Sequence, residues 1–212
     1  MSSSVVRPGY GPSLPQVLKA QPRAVQLLAR LIGVLILLAV AWWVLFGRAS
    51  DLTRVIIGDP IAFNVGYKAP LQRVEPKQGE LLRLEGPAEE FVVKPLRLPP
   101  YEGQFSGFLP AYSSTLAAQM ERERPGLVVR GEGRVNINKV RGYELIYQAP
   151  GEDGRKRYGR RIMMLPDDTA REGVEILLET DASAAVPTPD DAGRVGPTKS
   201  ALRSFRFGTD PP

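Results

Sequence analysis

The sequence predicts an α+β protein: a single N-terminal transmembrane helix followed by a mainly antiparallel sheet with one principal packed helix. Three observations predict it. The 17 residues Leu31 to Gly47 (LIGVLILLAVAWWVLFG) carry no charge and no strong helix breaker. From Pro60 onward the pattern changes to short β-type runs separated by Pro and Gly. Among those runs stands one helical stretch, Pro110 to Arg124. Strands, one central helix and then more strands is the order of an α+β domain.

The apolar run comes first in the argument. A hydrocarbon core of about 30 Å needs roughly 20 apolar helical residues, with about 17 as the lower limit. Leu27, Leu28 and Ala29 lengthen the run to 27–47 when Arg30 snorkels to the headgroups. Trp42, Trp43 and Phe46 stand at one end, where aromatic rings favour the membrane interface. A buried core helix is usually shorter and apolar on one face only. A cleaved signal peptide has an apolar region of about 7 to 15 residues and a small-residue cleavage site. Gly47-Arg48-Ala49 matches such a site poorly. The expectation is a retained helix that contacts the lipid bilayer through Leu31–Gly47.

Charge sets the direction. Arg7, Lys19, Arg23 and Arg30 precede the run without a single acid, whereas Arg48 and Arg54 follow it in the company of Asp51 and Asp59. Lys and Arg near the ends of a span favour the cytoplasmic side. The N-terminus is therefore expected in the cytoplasm and the C-terminal domain outside the plasma membrane. The chain has a net charge of +5, but the first 30 residues hold four of its bases, so the remainder is nearly neutral. A nucleic-acid surface needs a clustered basic face. The dense group Arg155-Lys156-Arg157 with Arg160-Arg161 reads instead as a solvated hairpin tip beside Glu152 and Asp153. No nucleic-acid partner is expected. Arg far outnumbers Lys, which points to a high-GC bacterial genome.

Residues 1–26 form an expected disordered basic arm, because a segment rich in Ser, Pro and Gly buries too little surface to offset its ordering entropy. Residues 48–59 are a linker whose Leu52, Val55, Ile56 and Ile57 fit either a first strand or a continuation of the helix. The domain is expected over 60–208, with a tail at 209–212. Its strands begin at Ile61–Val65, Leu81–Leu84 and Phe91–Val93, the last running on through Pro95, which belongs at an edge or a bulge. The helix takes Pro110 as its first residue and stops at Pro125-Gly126, with Tyr112, Leu116, Ala117 and Met120 on its core face. Leu127–Ile137 is a strand bent at Gly131 and Gly133. The connection 138–142 leads to Tyr143–Gln148, and Tyr158–Leu165 and Val174–Thr180 complete an antiparallel meander. Asp181–Lys199 reads as a Pro-rich loop, and Ala201–Phe207 as a closing strand.

This plan resembles the Mog1/PsbP-like family of α/β/α sandwiches over about residues 59–208. The matching pieces are the opening IAFNV, the mid-chain helix, Gly142 through Tyr147, Tyr158–Leu165, Val174–Leu178 and the closing LRSFRF. The family places a helix before its final "-SF-" segment, where this chain has the Pro- and Gly-rich stretch 181–199. The resemblance implies a non-enzymatic binding or assembly module.

The chemistry-bearing residues point the same way. With neither His nor Cys, thiol nucleophiles, His-based triads and Cys/His zinc sites are excluded, as is a lipid-modified cysteine. Gly193–Ser200 superficially follows a phosphate-binding loop, but Pro197 and Thr198 separate Gly196 from Lys199-Ser200 and a strand-like run follows. Gln104-Phe105-Ser106-Gly107 has the wrong order for a nucleophile elbow. Asp167-Asp168 and Asp190-Asp191 fit turns, where Asp bonds the local backbone, better than a Ca²⁺ loop. Glu175 and Glu179 alternate with Val174, Ile176 and Leu178, as on a half-exposed strand. No catalytic, cofactor-binding or metal-binding residue and no cofactor is therefore assigned.

The function expected is a single-pass membrane protein presenting a binding domain to an envelope or membrane protein partner. Its candidate interaction surfaces are Phe91–Phe108, with Tyr101 and Phe105, and the loop Asp181–Lys199. The alternatives are an envelope enzyme or small-ligand carrier using carboxylates alone, and an accessory subunit packed through Gly33 and Ala39 or Ala41 in a larger membrane complex.

Overall fold

A computed structural model describes residues 22–46, 52–151 and 154–209. Most of the expected arm, Gly47 with residues 48–51, Glu152 and Asp153, and residues 210–212 of the tail lie outside that set. The chain divides into two units, Met1–Asp51 and Leu52–Pro212.

The first unit contains α1 (Arg23–Phe46), 24 residues long. At a rise of about 1.5 Å per residue it is roughly 36 Å in length. Residues 31–38 are all exposed, and eight successive helical positions reach every side of the cylinder. Among the described residues, no helix is long and apolar enough to cross a membrane. The helix expected over 27–47 is thus present, but the described part of it falls short of a span, and a transmembrane role is not confirmed.

The second unit is α+β. Its small sheet, in the order β1-β2-β10, joins β1 (Thr53–Ile57), β2 (Phe63–Tyr67) and β10 (Arg206–Phe207), with both outer strands antiparallel to β2. Of the two alternatives for the linker, the strand is realised. A seven-stranded antiparallel sheet has the order β3-β4-β5-β9-β8-β7-β6. Its strands are β3 (Gln72–Val74), β4 (Leu82–Glu85), β5 (Glu89–Arg97), β6 (Val128–Ile137), β7 (Val140–Pro150), β8 (Lys156–Met164) and β9 (Glu172–Asp181). The meander β7 to β9 matches the expectation and β6 extends it by one strand; the expected bend in β6 is present too, where the register shifts between Val129 and Gly131. Pro95 meets its requirement too. It faces the β4 side of β5 beyond the point where β4 ends, opposite Val93, so no ladder bond is lost.

Side-chain alternation gives each face its own core. Phe91, Val93, Ile162, Ile176 and Leu178 pack with Phe63, Val65, Ala201, Leu202 and Phe205. Leu96, Leu145, Tyr147 and Met163, on the opposite face, pack with Leu109, Leu116 and Met120 of α2 (Phe105–Glu123). Phe63 and Phe205, both fully buried, stack with ring centroids 5.7 Å apart.

Three local expectations need correction. Helix α2 starts five residues before Pro110, which therefore lies inside it. The Ser113 and Ser114 hydroxyls donate to the Pro110 carbonyl, binding the backbone around this break in the amide series. The 138–142 connection is a two-residue turn, with Asn138 (φ 49°) and Lys139 (φ 70°) both left-handed. That conformation matches the twist of a tight hairpin. Ala201–Phe207 is no strand: it divides into α3 (Thr198–Ser204), the capping residue Phe205 and the short β10. The helix before "-SF-" that the sequence placed in doubt is present. Its C-terminal end is held from afar, since the Asn138 amide donates to the carbonyls of Arg203 (2.6 Å) and Phe205 (2.7 Å).

Candidate functional site

Helix α2 packs against β6 and β7. On the same face, β4, β5 and β9 border a cleft of about 550 Å³. Its floor is apolar, because Val92 and Leu177 are register partners on neighbouring strands. Its walls carry five cations (Lys77, Arg83, Lys94, Arg124, Arg157) and three carboxylates (Glu80, Glu90, Glu179).

Most of these charges are spent on one another. Arg83 has its nitrogens at 2.9 Å from Glu80, 2.5 Å from Glu85 and 2.6 Å from Glu90. On the other wall, Glu179 takes Arg124 at 2.5 Å, Arg157 at 3.4 Å and the Tyr147 hydroxyl at 2.8 Å. Arg124 also donates to the Pro150 carbonyl, which fixes its guanidinium at the cleft edge. Gly159 is required here: a Cβ on it would collide with the Tyr147 ring. The ammonium groups of Lys77 and Lys94 make no direct ion pair among the described residues, although the Lys94 charge acts on Glu80. With Glu85 and Asp181 pairing Arg83 and Arg157 from the cleft edge, acids and bases nearly balance, and the cleft offers an apolar floor between charged walls.

The electrostatics follow from burial and partners. Burial pushes the Glu80 carboxyl up, but the Lys77 N–H and the Arg83 hydrogen bond and charge outweigh it and bring it below the ordinary value. Burial likewise opposes the charge on Arg83, and its three glutamates more than restore it. Burial, then the Glu179 charge and hydrogen bond, hold the Tyr147 phenol well above its usual range, so it serves as a donor. Carboxylates already accepting guanidinium hydrogen bonds are poorly placed to take a substrate proton. The arrangement can hold an anionic group over an apolar surface.

Of the two surfaces picked out in the sequence, the first is buried at its start in β5 and exposed over residues 99–104. Phe91 and Val93 are fully buried in β5, and Tyr101, 45% exposed, stacks on Phe108 with centroids 4.6 Å apart. In the second, Val186, Ala192 and Thr198 are buried and anchor a loop whose residues 182–185, 187 and 188 are exposed. The phosphate-loop likeness at 193–200 is followed by α3 and not by a strand, yet the helix start is already filled. Glu89 accepts the Thr198 N–H at 2.9 Å, where a helix N-terminus would otherwise attract a phosphate. Both Asp pairs serve turns. Asp167 accepts from Thr169 and Ala170, and Asp191 from Thr188.

Two charge readings are overturned. Arg157, Arg160 and Arg161 are not a solvated tip but parts of β8, with Arg160 only 3% exposed. Glu175 and Glu179 share a face as expected, but that face is covered and Glu175 is 6% exposed. Cross-strand guanidiniums explain both: Arg161 grips Glu175 through two hydrogen bonds. Sequence reasoning missed Arg83, Lys94, Arg124 and Tyr147 altogether. The available signal was a charge inside an apolar strand, as in Leu81-Leu82-Arg83-Leu84, and the alternation that places Glu90, Val92 and Lys94 on one side of β5.

No family model and no curated protein matches this chain. Solved structures do. The chain is similar to a cyanobacterial PsbP (CyanoP) from Synechocystis sp. PCC 6803, at 14% identity and a TM-score of 0.48, over 74% of this chain and 92% of that one. It is also similar to LpqN of Mycobacterium tuberculosis, described as involved in cell envelope biogenesis, at 10% identity and a TM-score of 0.46, over 76% and 94%. A Pseudomonas aeruginosa protein of unknown function matches at 16% identity and a TM-score of 0.36, over 61% and 82%. A PsbP is therefore among the similar structures, as the strand pattern suggested, and nothing about activity or partner is carried over from any of the three.

Proposed function

We propose that the chain is a single-pass membrane protein that presents its α+β unit, outside the cytoplasm, as a non-enzymatic binding domain. The carrying observation is α1, whose residues 31–38 are exposed on every side although all eight are apolar or glycine. Water penalises such a surface by about 25 cal/mol per Å² of apolar area, and a bilayer removes the penalty. The basic residues before the apolar run favour a cytoplasmic N-terminus. The cleft over Val92 and Leu177 supplies the binding surface, with Lys77 and Lys94 available to an anionic group on the envelope partner. A carboxylate-only enzyme is the weaker reading, because Glu80, Glu90 and Glu179 are each paired with a guanidinium.

The test exploits the absence of cysteine. Ala184 is exposed in the loop after β9, so Ala184→Cys provides a single accessible thiol. Intact cells treated with a membrane-impermeant maleimide should label a full-length chain in the membrane fraction. Labelling only after lysis would invert the topology, and a labelled, shortened, soluble product would mean that the apolar segment is removed.

A further inference from the structure

The other face of the seven-stranded sheet has a concavity of its own. It lies between the β6–β7 turn and the segment 193–203, with a volume of about 620 Å³. Three arginines line it, Arg160, Arg194 and Arg203, together with Asn136 and Asn138, and no carboxylate does. That composition differs from the cleft described above, where acids answer most of the bases.

Each arginine has a distinct standing. Arg160 rises from β8 and is 3% exposed. Its Nη1 lies 3.2 Å from Glu144 Oε2 and its Nη2 donates to the Asp190 carbonyl at 3.1 Å. Its buried Nε has no acceptor, and Glu144 Oε2 has no hydrogen bond of proper geometry. Arg194 and Arg203 are exposed and have no ion pair among the described residues. Asp191, the acid nearest in sequence, is occupied by the Thr188 hydroxyl at 2.6 Å. Glu144 pairs with Arg160, and Asp190 and Asp191 also act on that charge, whereas Arg194 and Arg203 line the cleft without an ion pair of their own.

We propose that this cleft binds a phosphate-bearing anion, held by Arg194 and Arg203 over the fixed charge of Arg160. Two guanidiniums without ion pairs facing one space repel one another, and an anion between them relieves that cost. The guanidinium fork matches phosphate oxygens two at a time, and a tetrahedral group has enough oxygens to engage more than one fork, where a carboxylate has two. Arg160 is seated by its partners before any ligand arrives, so little side-chain entropy is lost there. The site uses Gly193 and Arg194 from the stretch that looked like a phosphate loop, but not the α3 terminus, which Glu89 fills. Free phosphate esters and anionic lipid headgroups share this chemistry.

The full chain in zwitterionic detergent micelles, titrated calorimetrically at constant ionic strength, separates the sources. One arm adds inorganic phosphate against chloride; the other adds dihexanoyl-phosphatidylglycerol against dihexanoyl-phosphatidylcholine. Saturable phosphate binding that weakens about tenfold or more in R194Q/R203Q supports a free phosphate ligand. A response to the glycerol lipid alone, lost in the same variant, supports a headgroup. Arg122→Gln, exposed on α2 over the opposite face and outside both clefts, should leave either response unchanged. No binding in either arm, or equal binding by the double variant, overturns the proposal.

Discussion

Arg83 on β4 and Arg160 on β8 are the same residue at nearly the same burial, 6% and 3% exposed, on opposite faces of one sheet. Burial disfavours both charges, yet the two end in opposite states. Three glutamates surround Arg83 and raise its pKa above the ordinary value. For Arg160 burial wins: Glu144 opposes it, Arg194 adds to it, and the pKa falls. The side chain of Glu85 is 46% exposed and that of Glu90 28%, so the first group is an open network with water in reach, whereas the second is a closed pair with orphaned atoms. Partner number and access to water, not burial, decide what a buried cation costs.

The largest break in this comparison is Arg160→Met. It leaves Glu144 buried without its cation, and stability to denaturant should fall by about 3–5 kcal/mol. Burial already holds the Glu144 carboxyl above its usual value, so it should take up a proton. The double variant R160M/E144L should regain most of the loss, because an apolar pair leaves no orphaned charge. Arg83→Met should cost less, about 2 kcal/mol, since Glu85 and Glu90, though not the buried Glu80 side chain, can turn to water. A larger loss for Arg83→Met than for Arg160→Met in the same urea titration would reverse the comparison.

Smaller effects sharpen it. Asn138→Gly keeps the left-handed turn but removes the amide that caps α3, and should lower stability by about 1 kcal/mol. Two glutamates should bend the pH profile in opposite directions. The Glu80 pKa is lowered from 4.5, so its contribution is present above that value and is lost as pH falls through the folded pKa. The Glu89 pKa is raised from 4.5 by burial, against the Thr198 N–H, so the folded state keeps a proton that the unfolded chain has lost. Stability therefore declines as pH rises from 4.5 through the folded pKa of Glu89, then levels off. Denaturation midpoints across this range should lose the first slope in Glu80→Gln and the second in Glu89→Gln.

The strands were legible because period-2 alternation is local. Tyr143–Gln148, Tyr158–Leu165 and Val174–Thr180 each fell on an observed strand. Helix α3 was not legible, because seven residues reading ALRSFRF alternate like a strand, and what fixes the helix comes from Glu89 and Asn138, far away in sequence. Pro110 was misplaced because proline favours the first helical position, yet here the helix starts at Phe105, and Ser106 donates its N–H to the Asp168 carbonyl. The site was the least legible part. Strand alternation put Glu175 and Glu179 on one face, but only the pairing of β8 with β9 brings Arg161 and Arg157 across to them. Charge on a strand reads as solvent exposure until the neighbouring strand is known.

The small sheet has a consequence for synthesis. β2 is flanked by the first and the last strands of its unit, and Gly66 donates to the Ser204 hydroxyl across 138 positions of chain. Phe63 receives its stacking partner only from Phe205. The seven-stranded sheet has all its strands once residue 181 has emerged, but the core beneath β2 waits for residues 201–207. A nascent chain stalled before Ala201 lacks Ala201, Leu202 and Phe205 from the core around Phe63 and Val65, and incompletely covered apolar strands attract chaperones and proteases. Closure of the small sheet and completion of the core around Phe63 are therefore one event, and it waits for residues 201–207.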